Sequence, residues 1–474
     1  MRVLHAIHDF LPRHRAGSEI YAFELARTQA ARDDVFVLAA EYDPSTAHGT
    51  LRWRTVGGLT VIELVNNWEF RSFEETYSSP RINEQLAHVL DAIQPDVLHV
   101  HNLLNLSFDL PRLAKERGAV VVATVHDYTL VCPSGGQRVH VADEHVCTEI
   151  DPDRCSRCFA QSPLYGQLSA GRLTGSRAGR VIGRAGLLLR RLAPSATEAA
   201  ARSLGAAPVR PSDIRRRLAS ARHVFDTVDL FVAPSPSIGA ELERLGVDRR
   251  RVEISDYGFA AASPPPRPRR RDAGSALRVG FVGTLVWHKG VHVLLEAARL
   301  LDGSIEVHLH GETTTFPGYV AGLRRAASGV PVFFHGGFNR ERVGEIYGGL
   351  DVLVVPSLWP ENSPLVIHEA FMHGVPVVAS STGGIRDLVA DGVNGLLVTP
   401  FSADSLRTAL QRLLLDPALC DRLAAASPPV KTIAADAAEW QARYVSLRRE
   451  HVGTDATAAP VSWAVAARAS GGHL

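Results

Sequence analysis

Short, unbroken apolar runs, each closing on a glycine or a polar turn and each followed by residues of helical periodicity, recur along almost the whole chain. In the first block they lie at 3–8, 35–40, 59–64, 96–101, 120–125 and 229–234. In the second they lie at 277–282, 306–311, 332–334, 351–356, 375–379 and 396–398. A strand with no polar face is buried on both sides, which happens in parallel sheets covered by helices. The alternation therefore predicts an α/β chain of two Rossmann-like, doubly wound domains. The segment 260–273, with three consecutive prolines and Pro-Arg repeats, separates the blocks and reads as a stiff linker suited to a hinge. This divides the chain into a first domain over 1–259, a second over 274–430, a helical stretch over 431–451 and an Ala-, Thr- and Gly-rich tail over 452–474 expected to be disordered.

Length and composition fit this plan and close off other classes. A chain of 474 residues has room for two or three domains with full cores, and 46% hydrophobic with 21% charged residues is ordinary globular composition. A formal net charge of +1 leaves no global attraction for nucleic acid. No apolar run is long enough to span a bilayer, and the amino terminus enters a strand at once without a signal-peptide layout, so a cytoplasmic protein is expected.

In doubly wound sheets ligands bind beyond the carboxyl ends of the strands, and that is where the chain concentrates its polar side chains. The run at 351–356 leads into Glu361-Asn-Ser-Pro-Leu-Val-Ile-His-Glu369. Asn362 or Ser363 is expected to cap a helix with Pro364 in its first turn, which aims free amides at an anion. Glu361 and Glu369, about two helical turns apart, can accept hydrogen bonds from vicinal hydroxyls. Lys289 precedes a helix expected from 291, where ammonium and helix dipole act together on a phosphate. Gly17-Ser18 follows the first strand and opens a helix over 19–32, with Ser18 as cap and Ile20, Phe23, Ala26 and Ala30 inward. Gly283 and Gly311 turn the chain at two further strand ends, and His101 and His126 close two more. A lone histidine at a strand end is more often structural than catalytic.

Two segments stand apart from this grammar. Cys132, Cys147, Cys155 and Cys158 cluster in a Gly-, Asp- and Pro-rich stretch, while Cys420 is remote. The Cys-x2-Cys spacing of the last two resembles a zinc knuckle, so one structural zinc is expected, an iron–sulfur cluster is second choice, and unpaired thiols are the plain alternative. From 171 to 222 about a dozen arginines face very few acids, within an insertion spanning 132–222. A solvated helical insertion is the favoured reading, and a peripheral surface for anionic lipid is the other.

Glu361-x7-Glu369 between two strands, with Gly383-Gly384 after the second, resembles the donor-site signature of family-4 retaining glycosyltransferases of the GT-B fold, the glycosyl transferases group 1. The resemblance implies two Rossmann-like domains facing a cleft, a nucleoside diphosphate sugar as donor and no organic cofactor. The acceptor, a glycan or lipid-linked molecule, would lie on the first domain, and the last helix would cross back to that domain. Catalytic roles pass to His126, Glu361 and Lys289. The donor surroundings become Gly17, Ser18, Gly283, Lys289, Gly311, Glu361, Asn362, Ser363, Pro364, Leu365 and Glu369. The chain departs from the family pattern at Ser18 (glycine), Thr284 (arginine), Asn362 to Pro364 (Gly-Phe-Gly) and Asp387 (glutamate). Without the arginine, Lys289 carries the diphosphate charge alone or with Arg13, Arg15 or Arg340. A same-fold epimerase or phosphorylase and a non-catalytic sugar-nucleotide sensor are the competing readings.

Overall fold

The computed structural model describes residues 1–174, 208–260, 274–301 and 303–455, and in it the apolar runs form two separate sheets. The first contains β1 (Arg2–Ile7), β2 (Asp34–Glu41), β3 (Leu51–Val56), β4 (Leu59–Val65), β5 (Val97–Val100) and β6 (Val120–Thr124). A two-stranded hairpin, β7 (Val139–His140) and β8 (His145–Val146), stands outside it, and β9 (Leu230–Ala233) and β10 (Val252–Ile254) complete it. The second sheet is built from β11 (Leu277–Val282), β12 (Ile305–His310), β13 (Val332–Gly336), β14 (Val352–Val355), β15 (Val377–Ser380) and β16 (Gly395–Val398). Their orders are β10-β9-β6-β5-β1-β2-β4-β3 and β13-β12-β11-β14-β15-β16.

All neighbours in the second sheet are parallel, and in the first only β3 runs against its partner β4. The order reverses at β1, which lies between β2 and β5, and at β11, which lies between β12 and β14. Each reversal parts the connecting segments and leaves a crevice at the strand carboxyl ends. Apolar side chains fill both faces of both sheets, as continuous apolar strands require. β3 has no counterpart among the apolar runs because Arg52 and Arg54 alternate with its apolar residues. It is an edge strand folded back on β4 through Gly57-Gly58, both at positive φ, and its arginines pair with the buried Glu63.

Several local expectations shift. The first helix is Gly17–Gln29, its N-cap is Ala16 without a side-chain bond, and Ser18 lies inside the helix. Its buried side is Glu19, Tyr21, Ala22, Leu25, Ala26 and Gln29, rotated from the face that carries Ile20 and Phe23. Polar residues can point inward there because partners await them: Tyr21 donates to Asp436 (2.8 Å), and Gln29 donates to the Tyr444 hydroxyl (3.3 Å). Both partners belong to the final helix, Ile433–Asp455, which packs against the first helix and against β6, with Trp440 and Tyr444 beside His99 of β5. The same Trp440 and Tyr444 join Val3, Ile7 and Leu25 in one core cluster.

The cysteine-bearing stretch is more ordered than its turn-rich composition implies. It forms the hairpin, a helix Pro152–Gln161 capped by Asp151, and a helix Pro163–Thr174, and the chain resumes in the helix Pro211–Thr227. The arginine-rich run at 175–207, most of the linker and the tail from 456 lie outside the described residues. No described helix is long and apolar enough to cross a membrane.

Candidate active site

The carboxyl rims of the two sheets face each other, and the loop after β14 bridges them. The loop's shape depends on close backbone approaches. Gly290 adopts φ 72°, and a Cβ there would stand 1.9 Å from the Pro356 carbonyl. A Cβ on Gly384 would stand 1.8 Å from the Asn362 carbonyl. Only glycine lets the turns after β11 and β15 close on the loop from either side. The Gly384 N–H then donates to the Glu361 carbonyl (2.7 Å).

Glu361 is held in place by this packing. Its Oε1 accepts from Lys289 Nζ (2.5 Å) and from Ser357 Oγ (2.7 Å), and the residue is 5% exposed. Lys289 lies on the single 3-10 turn Trp287–Lys289 that enters the helix Val291–Arg299, and its ammonium stands 5.5 Å from the centre of the Trp359 ring. A charge-assisted pair of this length, shielded on two sides, is far stronger than an exposed one. Glu369 lies on the helix Leu365–Met372, where Tyr347 donates to its Oε2 (3.0 Å). Only one of the two glutamates is therefore helical. Pro364 is the N-cap of that helix rather than part of its first turn.

Asn362 and Ser363 do not cap the helix, because their side chains reach the first domain. Asn362 donates to the Val125 carbonyl (3.2 Å), and Ser363 donates to Asp256 (2.8 Å). From the opposite side Tyr128 donates to the Pro360 carbonyl (3.1 Å), and Ser235 donates to the Asn362 carbonyl (3.1 Å). Asp387 accepts from the Ser237 N–H (2.8 Å), at the start of the helix Pro236–Arg244. Ser235 itself makes no side-chain cap. Across the cleft, Gly17 meets the Leu365 side chain, which lies 3.1 Å from where a Cβ would be. Gly283 and Gly311 adjoin each other, since a Cβ on Gly311 would stand 2.0 Å from the Gly283 carbonyl.

His126 lies at the rim of the first sheet, stacked on Tyr257 at 5.2 Å. Its Nε2 is 3.0 Å from Nδ1 of His101, whose Nε2 is 2.9 Å from Nδ1 of His5, whose Nε2 is 2.8 Å from Gln29. His101 thus belongs to a buried row behind His126. Burial, with His8 adding repulsion, pushes His126 down to about 3, and burial pushes His5 down to about 4 against the Gln29 hydrogen bond. Both imidazoles are neutral at ordinary pH and can exchange hydrogen bonds but carry no charge. Next to His126, burial pushes the Asp127 carboxyl up, while hydrogen bonds from Thr129 and Asn102 oppose the shift.

Arg13 pairs with Glu41 (2.8 Å) of β2 and with Glu63 of β4, so two carboxylates already engage its charge. Among the described residues two clusters bring three ligand atoms within 4.8 Å of one another: His5, His99 and His101 in the core, and His8, Asp9 and Glu19 at the end of β1. The contacts made by Tyr128, Ser235, Asp256 and Tyr347 are not legible in the sequence pattern. Ser235 directly follows the apolar run 229–234 and Tyr128 lies three residues beyond the run 120–125, and that position at a strand end is the available signal for these two.

Residues 269–428 match the family model described as glycosyl transferases group 1, and residues 15–155 match that of glycosyltransferase family 4. The chain is a family-4 glycosyltransferase of the GT-B fold. Among similar proteins, the D-inositol 3-phosphate glycosyltransferase of Xylanimonas cellulosilytica is 31% identical over 239 residues, 46% of this chain and 57% of that one. The sulfoquinovosyl transferase SQD2 of Arabidopsis thaliana is 30% identical over 203 residues, 41% of this chain and 39% of its own. The family-4 chain thus spans about half the length of the curated relatives it matches. Its fold is shared with the sucrose-phosphate synthase of Thermosynechococcus elongatus (TM-score 0.61, 18% identity, 96% of this chain and 100% of that one). It is also shared with Anabaena HepE in complex with UDP and glucose (TM-score 0.57, 15% identity, 96% and 100% covered).

Proposed function

We propose that the protein transfers a sugar from a nucleoside diphosphate sugar to a glycan or lipid-linked acceptor with retention of anomeric configuration. The observation that carries this reading is the part-buried Lys289–Glu361 pair at the second rim, beside the loop to which Tyr128 of the first rim is hydrogen-bonded. A carboxylate fixed by Ser357 and Lys289 still has lone pairs for sugar hydroxyls. An ammonium on a turn that opens a helix is placed to take a diphosphate. In this reading Glu369 binds the ribose. Backbone groups at Gly17, Ser18, Gly283, Gly311 and 362–365 surround the donor, and neutral His126 hydrogen-bonds the sugar.

The chemistry needs no charge beyond these groups. The C1–oxygen bond to the diphosphate breaks, its electron pair passes to the leaving oxygen, and Lys289 with the helix start stabilises the developing charge. The acceptor hydroxyl attacks C1 from the same face and gives its proton to the departing phosphate oxygen. The hydrogen bonds that join the rims exclude water from the cleft, which limits hydrolysis. Structural neighbours support the donor class: HepE binds UDP and glucose, and starch synthase IV of Arabidopsis thaliana binds ADP and acarbose.

A thermal-shift screen of UDP-, ADP- and GDP-sugars tests the reading. A ligand at about a hundred times its Kd stabilises by about 2.7 kcal/mol, a readily measured shift. Calorimetry on Glu361→Gln then separates the subsites: nucleotide binding should persist and nucleotide-sugar binding should weaken. Equal loss of both ligands removes Glu361 from the sugar subsite, and no response to any nucleotide or nucleotide sugar rejects the donor assignment. The same screen on liposomes with and without anionic lipid, at two salt concentrations, tests membrane-borne acceptors.

A further inference from the structure

Four cysteines that the glycosyl-transfer reading leaves unused come together in the first domain from three separate segments. Cys132 ends the turn that leaves β6, its N–H bonded to the Tyr128 carbonyl (2.8 Å). Cys147 follows β8, its N–H bonded across the hairpin to the Arg138 carbonyl (2.7 Å). Cys155 and Cys158 lie on the helix Pro152–Gln161, one turn apart and so on one face. The Cys158 sulfur reaches back to the Val139 carbonyl of the hairpin at 3.7 Å. Cys155 faces Cys132, Cys147 and Cys158 closely enough for their charges to interact, and Cys158 likewise faces Cys132 and Cys147. No disulfide joins any of them. Among the described residues no three of these sulfurs stand within 4.8 Å of one another, so holding a single ion requires the segments to close up around it.

A second observation is independent of the sulfurs. Arg217, on the helix Pro211–Thr227, is 5% exposed. Its guanidinium donates to the carbonyls of Thr129 (2.5 Å) and Leu130 (2.8 Å) and lies 4.9 Å from the centre of the Phe108 ring. Among the described residues it forms no ion pair with a carboxylate, and the groups of opposite potential charge that face it are Cys132, Tyr77 and Cys155. A buried cation without a counter-ion is costly, and neutral thiols do not offset it. Four thiolates around a divalent ion leave a net double negative charge, which does.

We propose that Cys132, Cys147, Cys155 and Cys158 bind one metal ion, zinc in the first place, as a tetrathiolate centre whose counter-charge is the buried Arg217 guanidinium. Zinc binding would then clamp the hairpin and the helix Pro152–Gln161 to the segment 126–132. That segment carries His126 and Tyr128 into the cleft, and Arg217 already holds two of its carbonyls. The centre would brace the first-domain wall of the cleft and take no part in bond making.

The test uses the full chain, expressed with added zinc and purified without chelator. The expected result is about one equivalent of zinc, or of iron in the same thiolate set, per chain. Cys420 should react with a thiol reagent in the native protein, and the other four should react only after a mercurial releases the metal. Cobalt titrated into the reduced, metal-stripped chain should give the intense visible bands of a tetrahedral thiolate site. Cys155→Ser and Cys158→Ser should lose the metal, and Cys420→Ser should keep it. Arg217→Met should lower zinc affinity, measured by competition with a chelator, by about tenfold. A purely structural arginine would lower Tm and leave that affinity unchanged. If the serine variants fail to fold, the cobalt titration of the unsubstituted chain decides. Less than about a tenth of an equivalent of any metal, with the four thiols freely reactive or oxidised to disulfides, overturns the proposal, as does a cobalt titration without visible bands.

Discussion

The buried histidine row makes the fold acid-labile by an amount that can be worked out. His5 and His126 are held near 4 and 3, against an ordinary 6.5, by burial. His99 and His101 are lowered in the same sense by burial and by one another, with Arg443 also facing His99. The surrounding partners are Gln29, Thr124 and the Tyr444 hydroxyl, none of which supplies a negative charge at neutral pH. Unfolding frees these imidazoles to protonate, so the unfolded state takes up protons that the folded state refuses. The stability this gives is complete above about pH 6.5 and is lost as pH falls toward the folded values of about 4 and about 3.

At pH 5 the solution is about 1.5 units below the free imidazole value while both groups stay neutral in the folded chain, which at about 1.36 kcal/mol per unit is about 2 kcal/mol for each. His5 and His126 together thus cost about 4 kcal/mol between pH 7.5 and pH 5, out of a typical total of about 5–15 kcal/mol. His48, His288 and His310, each pushed down to about 4, act in the same direction. Asp127, whose carboxyl burial pushes up, acts in the opposite sense, because its folded form takes up a proton before the unfolded one does. Urea unfolding at pH 7.5, 6.5, 5.5 and 5.0, at constant ionic strength, measures the loss. Ring-labelled histidine resonances show which imidazoles stay neutral in the folded chain. A stability unchanged to within about 1 kcal/mol across the window, or His5 and His126 titrating near 6.5 in the folded protein, refutes the reasoning.

Lys289→Ala and Glu369→Ala should each weaken nucleotide-sugar binding at least about tenfold by calorimetry, since each removes a charge-assisted contact; a loss under about twofold counts against the assigned subsite. Because His126 stays neutral down to about pH 3, the pH profile of kcat/KM between pH 5.5 and 8 should show no step that disappears in His126→Asn. Gly384→Ala places a methyl against the Asn362 carbonyl, where backbone cannot yield, and should cost about 1–3 kcal/mol in denaturant unfolding. Replacing Asn362 and Ser363 together by glycine should leave the nucleotide subsite intact and increase the solution radius of gyration by loosening the cleft; an unchanged scattering profile would remove these side chains from the closure.

Most strands are legible in the sequence because burial on both faces writes itself as a continuous apolar run, and helix starts are legible to within a few residues. Three kinds of feature are not. β3 alternates arginine with apolar residues because it is an edge strand that pairs with Glu63, and alternation of this kind is easily taken for a loop. The inward face of the first helix is not the one its apolar spacing suggests, because Glu19 and Gln29 are polar residues buried against partners more than twenty residues away or on the last helix, and against His8 at the end of β1. Hydrophobic periodicity carries no signal for a polar residue whose partner is distant in sequence. The helical order of 152–174 is hidden for a related reason, since turn-forming residues dominate the stretch and its partners are distant in sequence: the helix Pro211–Thr227, Phe73 against Phe159, and the Arg71 carbonyl that accepts from Arg172.

The departures from the family pattern are where the structure adds most to the sequence. Asn362, Ser363 and Asp387 each replace a residue of the expected donor signature, and each uses its side chain on the opposite domain: Asn362 on Val125, Ser363 on Asp256, Asp387 on the amide of Ser237. Ser363 also lies 2.9 Å from His368, whose imidazole stands 3.2 Å from Asp256. A glycine at 362 would offer only backbone to the first domain, a phenylalanine at 363 could not donate to Asp256, and a glutamate at 387 would carry its carboxylate one methylene further from the Ser237 amide. The Lys289–Glu361 pair and the Tyr347–Glu369 contact do not depend on any of the three. These three departures therefore bear on how the domains meet, whereas Thr284, standing where the family pattern has arginine, removes a cation from the side proposed for the diphosphate and leaves Lys289 paired with Glu361 there.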